Sequence, residues 1–301
     1  MKAGMSTGWA VAALAAIACA MPAHAGGERD IEQRVAADPG GEVNVNIVTG
    51  SLHIEGWDKP EVEVTGSIGD EVERLDVVRD GRRVTVKVIL PKGSLRDADA
   101  DLTVRVPAGC SLEATTVSAD LGVRAVAGAL RLRSVSGEVT ARDVAKDSEF
   151  KTVSGDIRVT AGAPPVKVIA YSVSGSLVVD GLSGSLEATS VSGDMNFDLG
   201  AIDSLRLRTT SGDARLGGRL AKEARVDFES VSGDLSMKVA ADAGFTAEAD
   251  TFSGSLSNCF GVRPEAVSKY GPGERMSLTQ GAGGARIRAK TMSGDVRICD
   301  R

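Results

Sequence analysis

Apolar and polar residues alternate over short stretches through most of the chain. Runs such as "LRLRS" from Leu130, "VDFES" from Val226 and "LSMKV" from Leu235 follow this two-residue period. Such alternation is typical of a β-strand that buries one face. No obvious helical pattern follows residue 25. The pattern therefore predicts an all-β protein.

A turn sequence recurs between these strands at a nearly fixed interval. It reads "TVSGDIRV" from Thr152 and "SVSGDMNFDL" from Ser190, and it returns in steps of 18 to 21 residues, with a final step of 40. We call each recurrence a unit and name it by the residue at the position of the turn glycine. The nine reference residues are Ala119, Gly137, Gly155, Gly175, Gly193, Gly212, Gly233, Gly254 and Gly294.

Fixed residue types surround the reference position. Serine precedes it by one residue, serine or threonine precedes it by three, and Asp, Glu or Ser follows it. We interpret the turn as structural: glycine accommodates a positive φ, and Ser and Asp bond neighbouring backbone groups. The hydroxyls three residues before are expected to form a ladder, each donating to the next unit. The predicted structural turn residues are Ser154, Gly155, Asp156, Ser192, Gly193, Asp194, Ser232, Gly233, Asp234, Ser293, Gly294 and Asp295.

A unit of two short strands and two turns cannot bury its apolar face alone. Stacked in register, such units would enclose a narrow core, with equivalent positions about 4.8 Å apart. The sequence therefore predicts a parallel β-solenoid with roughly 18–21 residues and two short strands per rung. A β-sandwich is the alternative, but a sandwich does not require one turn sequence at one fixed phase.

Three regions are expected along the chain. Residues 1–25 have an apolar, Ala-rich segment and end in "PAHA", which is typical of a secretory signal peptide. A lipid anchor on Cys19 is the alternative. Residues 26–108 are expected to form an N-terminal β cap with the first irregular rungs. Residues 109–301 are expected to form the regular solenoid, with an excursion near 261–284.

The cysteines predict one covalent link. Cys259 and Cys299 each lie five residues after a reference glycine. One rung apart, their Cα atoms would be about 4.8 Å apart, which a disulfide can bridge, whereas two rungs would separate them by about 9.6 Å, which it cannot. We therefore predict a Cys259–Cys299 disulfide between neighbouring rungs and a free Cys110.

Candidate catalytic chemistry is sparse. His53 is the one histidine after residue 25 and lies between apolar Leu52 and Ile54, so it is predicted to be a plain surface residue facing outward. No arrangement of residues indicates a nucleophilic triad or a cofactor site. The sequence predicts no catalytic residues and no cofactor.

A line of acidic residues after the reference position is the one candidate metal site. Asp194, Asp213 and Asp234 are its weak candidates, because stacked carboxylates repel and a hard cation would relieve that repulsion. Ser176 and Ser255 interrupt the line, so we predict no bound metal.

Charge and composition exclude some partners. The net charge is −6, acidic and basic residues are interleaved, and aromatic residues make up 3% of the chain. Nucleic-acid binding requires a clustered basic face or a platform of aromatic residues for stacking. The chain shows neither pattern, so no nucleic-acid partner is predicted. No transmembrane span is expected after residue 25.

The iterated "VSGD", together with "VTGSLHIEGW", "KYGPGERMSL" and "MSGDVRIC", carries a family resemblance. Over roughly residues 40–301 the chain resembles a bacterial exported β-strand-repeat family of unknown function, also labelled "putative adhesin". The resemblance implies a β-solenoid and an envelope or secreted location. It implies no established activity and no catalytic residues.

These observations predict a non-enzymatic exported protein, periplasmic or secreted, that acts as an adhesin-like binding or scaffold module of the cell envelope. Its partner is expected to be an envelope polymer or a protein, and the sheet edge at Arg301 is expected to allow a homodimer. A polysaccharide-active enzyme is the alternative, favoured if three or more outward charged residues share one groove. A cation-stabilised structural rod is a third reading, and it predicts a melting temperature that falls on adding chelator.

Overall fold

The computed structural model describes residues 28–91, 98–162, 164–240, 244–269 and 272–300. These residues are all-β, with no helix among them, and their strands belong to one large sheet that is nearly closed into a barrel-like shape. The predicted all-β class is therefore confirmed. The predicted signal peptide, residues 1–25, lies outside the described residues.

The strands follow the chain at short intervals. They are β1 (Arg29–Ala36), β2 (Glu42–Asn46), β3 (Thr49–Trp57), β4 (Glu61–Ile68), β5 (Arg74–Asp80), β6 (Arg83–Ile89), β7 (Asp99–Pro107), β8 (Ser111–Thr115), β9 (Ser118–Arg124), β10 (Leu130–Arg133), β11 (Val139–Val144), β12 (Ser148–Lys151), β13 (Ile157–Ala161), β14 (Val166–Ser172), β15 (Leu177–Asp180), β16 (Gly184–Ser192), β17 (Met195–Ser211), β18 (Ala214–Ser232), β19 (Leu235–Val239), β20 (Phe245–Ser253), β21 (Leu256–Asn258), β22 (Glu265–Ala266), β23 (Glu274–Gln280), β24 (Ala285–Ser293) and β25 (Val296–Asp300).

From β8 to the first half of β18 each strand pairs in parallel with its equivalent one unit further along the chain. Strand β10 lies between β8 and β12, and β11 lies between β9 and β13. The pairing keeps the turns aligned, so that Ser192, Ser211 and Ser232 lie opposite one another. Equivalent positions of neighbouring units are therefore about 4.8 Å apart.

The core follows directly from the alternation in the sequence. Inward positions are Val, Leu, Ile and Ala on almost every strand, and they form one continuous cluster of buried residues. Phe150, Phe228 and Phe245 are the largest fully buried side chains. Because small aliphatic residues dominate, the core is thin, and each unit depends on its neighbours for burial.

The last two units do not follow chain order. Strand β24 pairs in parallel with β18 on one side and β20 on the other, and β25 lies between β19 and β21. The Gly294 unit therefore lies between the Gly233 and Gly254 units. The edge that we predicted at the chain end for a homodimer does not exist at β25, because this strand has a partner on each side.

The N-terminal end has the same interleaved construction. Strand β3 pairs with β7 and β9, and β2 pairs with β6 and β8, so the first unit is inserted between later ones. Antiparallel strands cover both ends: β4, β1 and β5 at the N-terminal end, and β23 with β22 at the other. The outer strands β1 and β5 carry many charged residues, which discourages pairing with another chain.

Candidate binding surface along the repeated turn

The turn glycines are required by close packing between units. A Cβ on Gly155 would lie 1.9 Å from the carbonyl oxygen of Gly137, and one on Gly193 would lie 2.2 Å from that of Gly175. The expectation of a positive φ is wrong at Gly155, Gly193 and Gly233, where the backbone does not have one, and it is confirmed at Gly294, where φ is 158°. The backbones of successive turns approach so closely that no side chain fits between them.

Where an aspartate follows the reference position, its carboxylate accepts a backbone N–H from the next unit in the stack. Asp156 Oδ1 accepts the backbone N–H of Ser176 at 2.8 Å, and Asp194 Oδ1 accepts that of Asp213 at 3.0 Å. Further along the stack, Asp234 Oδ1 accepts the N–H of Asp295 at 2.7 Å. These bonds cross between units, so the acidic residues join the turns to one another.

The three weak metal candidates take part in this same network. Asp194 and Asp213 accept backbone N–H groups from the unit that follows, Asp234 accepts one from Asp295, and all three carboxylates point along the stack. Within the part of the chain that the structure describes, no three His, Cys, Asp or Glu side chains come together as metal ligands. The three carboxylates therefore serve as hydrogen-bond acceptors between successive units.

The hydroxyls three residues before the reference position are all buried. Thr152 Oγ1 accepts the N–H of Gly155 at 2.9 Å, and Ser172 Oγ accepts that of Gly175 at 2.7 Å. Thr251 Oγ1 alone donates across units, to the carbonyl oxygen of Gly294 at 3.1 Å. The predicted ladder is therefore wrong. The six hydroxyls without a hydrogen-bond partner among the described residues belong to Thr116, Ser134, Ser190, Thr209, Ser230 and Thr291.

This difference predicts opposite effects for two similar substitutions. Thr152→Val leaves the buried N–H of Gly155 unpaired and should lower the free energy of unfolding by about 1–2 kcal/mol. Thr209→Val removes a buried hydroxyl without a partner and should be neutral or slightly stabilising. Urea denaturation of both variants provides the measurement, and an equal loss in both would contradict the assignment.

An exposed apolar stripe runs along the outside of the turns, two residues before each reference position. Its members are 41–60% exposed, and they include eight of the ten large hydrophobic residues that are exposed in the described part of the chain. Thr210 occupies the remaining unit. In stack order the apolar stripe consists of Val117, Val135, Val153, Val173, Val191, Val231, Met292 and Phe252.

The apolar stripe was missed in the sequence analysis, although a signal was present. These positions have the outward phase of the alternation, where a strand with one buried face carries polar residues. Six of the nine units have valine there instead. Exposed apolar surface of this extent, interrupted only at Thr210 among the nine units, is typical of an interaction site.

The two borders of the apolar stripe differ in charge. One border is the column after the reference position, with seven acidic residues, two serines and no base. The other border lies four residues before it. There Arg133, Lys151, Arg208 and Lys290 outnumber the acidic Glu229 and Asp250. Three of these bases are already paired, Arg133 with Glu113, Lys151 with Glu149 and Arg208 with Glu229. The surface is therefore acidic on one side of the stripe and close to neutral on the other.

A separate groove of about 550 Å³ lies beside His53, which is exposed as predicted. Gly122 opposite it has no side chain, and a Cβ there would lie 3.0 Å from His53 Nδ1. Five charged residues line the groove. The enzyme alternative required three or more outward charged residues in one groove, so this groove meets that condition. The five residues are Glu55, Asp120, Arg124, Glu138 and Arg142.

Most of these charged groups already have structural partners. Arg124 Nη2 lies 2.9 Å from Glu55 Oε1, and Asp120 Oδ1 accepts the backbone N–H of Glu138 at 2.9 Å. The Glu138 carboxylate pairs with Arg158. These three carboxylates therefore already take part in structural contacts between neighbouring strands.

The cysteines are placed at opposite ends of the stack. Cys259 and Cys299 form a disulfide with a Cα–Cα distance of 4.8 Å, which links the Gly254 unit to the last strand. Cys110 is free and buried, and burial raises the pKa of its thiol to about 12. A thiol with so high a pKa is a poor nucleophile at neutral pH.

Comparison with known proteins places the repeat in a defined family. Residues 42–245 match the family Toastrack DUF4097. No curated protein matches the chain. Among the described residues, no helix is long and apolar enough to cross a membrane.

Several solved structures show distant similarity. A "putative adhesin" from Bacteroides fragilis is 13% identical, with a TM-score of 0.43 and coverage of 90% of this chain and 97% of that chain. A "putative adhesin" from Parabacteroides distasonis is 12% identical, with a TM-score of 0.34 and coverage of 92% and 98%. A "putative lipid binding protein" from the same species is 12% identical, with a TM-score of 0.30 and coverage of 90% and 96%. These low scores carry no functional argument.

Proposed function

The chain belongs to the Toastrack DUF4097 family, and we propose that it is a non-enzymatic, exported β-solenoid that acts as an adhesin-like binding or scaffold module of the cell envelope. The observation that carries this proposal is the apolar stripe with its acidic border. The stripe exposes a large apolar side chain in eight of the nine units, and exposed apolar surface of this extent is typical of an interaction site.

The parallel register supports the solenoid winding. The described strands from β8 to β19 pair with equivalents 18 to 21 residues away, and the turns remain aligned throughout. A winding of this kind presents the same surface at every unit. It therefore suits a long partner with many equivalent contacts, whose weak individual affinities add through multivalency.

Export is supported by two features. The Cys259–Cys299 disulfide is of a kind that persists in oxidising compartments, and the expected signal peptide precedes the described chain. We propose a periplasmic or secreted location, with a lipid anchor on Cys19 as the alternative. Mass spectrometry of the N-terminus of the exported protein distinguishes them, since cleavage before residue 26 and acylation of Cys19 give different masses.

A binding screen tests the proposed function. The purified exported protein is incubated with cell-envelope fractions and with acidic polysaccharides, and both retention and the release of shortened products are measured. We expect retention without new chain ends. The double variant Val153→Asp/Val191→Asp should lose retention, while Val78→Asp, at a valine that is 57% exposed outside the stripe, should keep it. Equal retention by both variants would contradict a role for the stripe.

A polysaccharide-active enzyme remains the second candidate, because the His53 groove gathers five charged side chains. In that case the same screen would release shorter fragments from an acidic polysaccharide. Release should then be lost in His53→Ala and kept in Val153→Asp/Val191→Asp. Release that survives His53→Ala would exclude this groove as the site.

A further inference from the structure

We propose that the apolar stripe binds the same stripe of a second copy, with the two chains parallel and related by a two-fold axis along the stack. The inference rests on the proposed function, since it names the partner of the same surface. The chain-end strand β25 is already paired on both sides, so the proposed contact uses a lateral surface instead.

The size of the stripe suits a self-association contact. Eight side chains that are 41–60% exposed together offer on the order of 600 Å² of apolar surface per copy, at the upper end of the patches that monomers carry. Two copies would cover a total near the lower limit for specific protein interfaces, about 1,200 Å². The contact is therefore expected to be reversible rather than obligate.

The borders of the stripe determine the relative direction of the two chains. In a parallel pair with the two-fold axis along the stack, the acidic border of each copy faces the nearly neutral border of the other. In an antiparallel pair the two acidic borders face each other, and on each side five carboxylates that have no arginine partner among the described salt bridges repel, since only Glu138 and Asp213 are paired with Arg158 and Arg215. Avoidance of this repulsion thus favours the parallel pair.

The parallel pair also matches the spacing of the stripe. Each unit lies at the same height as its equivalent in the second copy, so Val135 faces Val135 and Val231 faces Val231. The repeat distance, about 4.8 Å, is then identical on both sides of the contact. An anionic membrane surface is disfavoured as the occupant, because the acidic border would lie against it.

Sedimentation equilibrium of the full exported protein tests the association. The unsubstituted chain should form a dimer, and Val153→Asp/Val191→Asp should weaken the dimer at least a hundredfold, because it places four carboxylates in the apolar contact. Val78→Asp, at an exposed valine outside the stripe, should dimerise normally. An unsubstituted chain that stays monomeric at high concentration would overturn the inference.

Cysteine cross-linking tests the direction. Val135→Cys and Val231→Cys lie near opposite ends of the stripe, and each should form a disulfide-linked dimer on mild oxidation. Val191→Cys, at the middle of the stripe, should cross-link in either direction and serves as the positive control. Cross-linking of Val191→Cys alone would indicate an antiparallel pair and would overturn the parallel assignment.

The two experiments together separate this inference from the proposed function. A monomeric protein whose envelope retention is lost in Val153→Asp/Val191→Asp would overturn the self-association and leave the binding module standing. A dimer that is lost in the same variant, while retention persists, would support the self-association and move the envelope contact to another face.

Discussion

Replacing both Cys259 and Cys299 with serine is expected to lower the free energy of unfolding by about 4 kcal/mol, since the bond closes a loop of about forty residues. The loop contains β22, β23 and β24, so it constrains the whole interleaved end of the stack. Without the disulfide, β24 and β25 are held between their neighbours by hydrogen bonds and side-chain packing alone. Dissociation of these two strands would expose the apolar faces of the Gly233 and Gly254 units.

Urea denaturation of the double serine variant, compared with the unsubstituted protein, measures this effect. Reduction of the unsubstituted protein should reproduce the shift. Cys110→Ala is the matched control, because its thiol is buried and unpaired, and this variant should keep the full difference between oxidised and reduced protein. If mass spectrometry found both Cys259 and Cys299 as free thiols in the exported protein, the pairing would be wrong.

Gly155→Ala is expected to cost about 3 kcal/mol or more, because the new methyl group would lie 1.9 Å from the backbone oxygen of Gly137. The obstacle is backbone, so no side chain can move aside. Relief requires two central units to separate, which breaks the bonds that hold the turns together. The damage should therefore spread beyond one residue.

Gly162→Ala is the control for this substitution. Its nearest neighbouring atom would be 3.8 Å from the new Cβ, and its φ lies outside the positive region, so the expected change is within 0.5 kcal/mol. Circular dichroism during urea denaturation measures both variants. A Gly155→Ala variant as stable as Gly162→Ala would show that the turns do not approach as closely as described.

The repeat made much of the fold predictable. Strict alternation identified the strands, and the fixed turn phase implied parallel register. The two cysteines share a phase, so a Cys259–Cys299 link between neighbouring units could be predicted from spacing. Each of these inferences depends on local periodicity, which the sequence carries explicitly.

The order of the terminal units could not be predicted in the same way. The strands of the Gly254 and Gly294 units have nearly the same pattern, and either would fit against the Gly233 unit. The choice depends on long-range packing with the antiparallel strands that cover the end. The reason for the turn glycines was also missed, since a sequence reveals a need for glycine without revealing whether φ or close approach imposes it.

The interleaved ends also set an order for folding. Central units pair with neighbours 18 to 21 residues away. At the C-terminal end, by contrast, the backbone N–H of Asp295 donates a hydrogen bond to Asp234 Oδ1, 61 residues away along the chain. Closing the longer loop costs more chain entropy, so folding should begin in the middle and reach the ends last. The Gly254 unit is synthesised before β24 and β25. It cannot pair as in the final structure until these two strands lie between it and the Gly233 unit. Hydrogen exchange should accordingly be slowest in the central units.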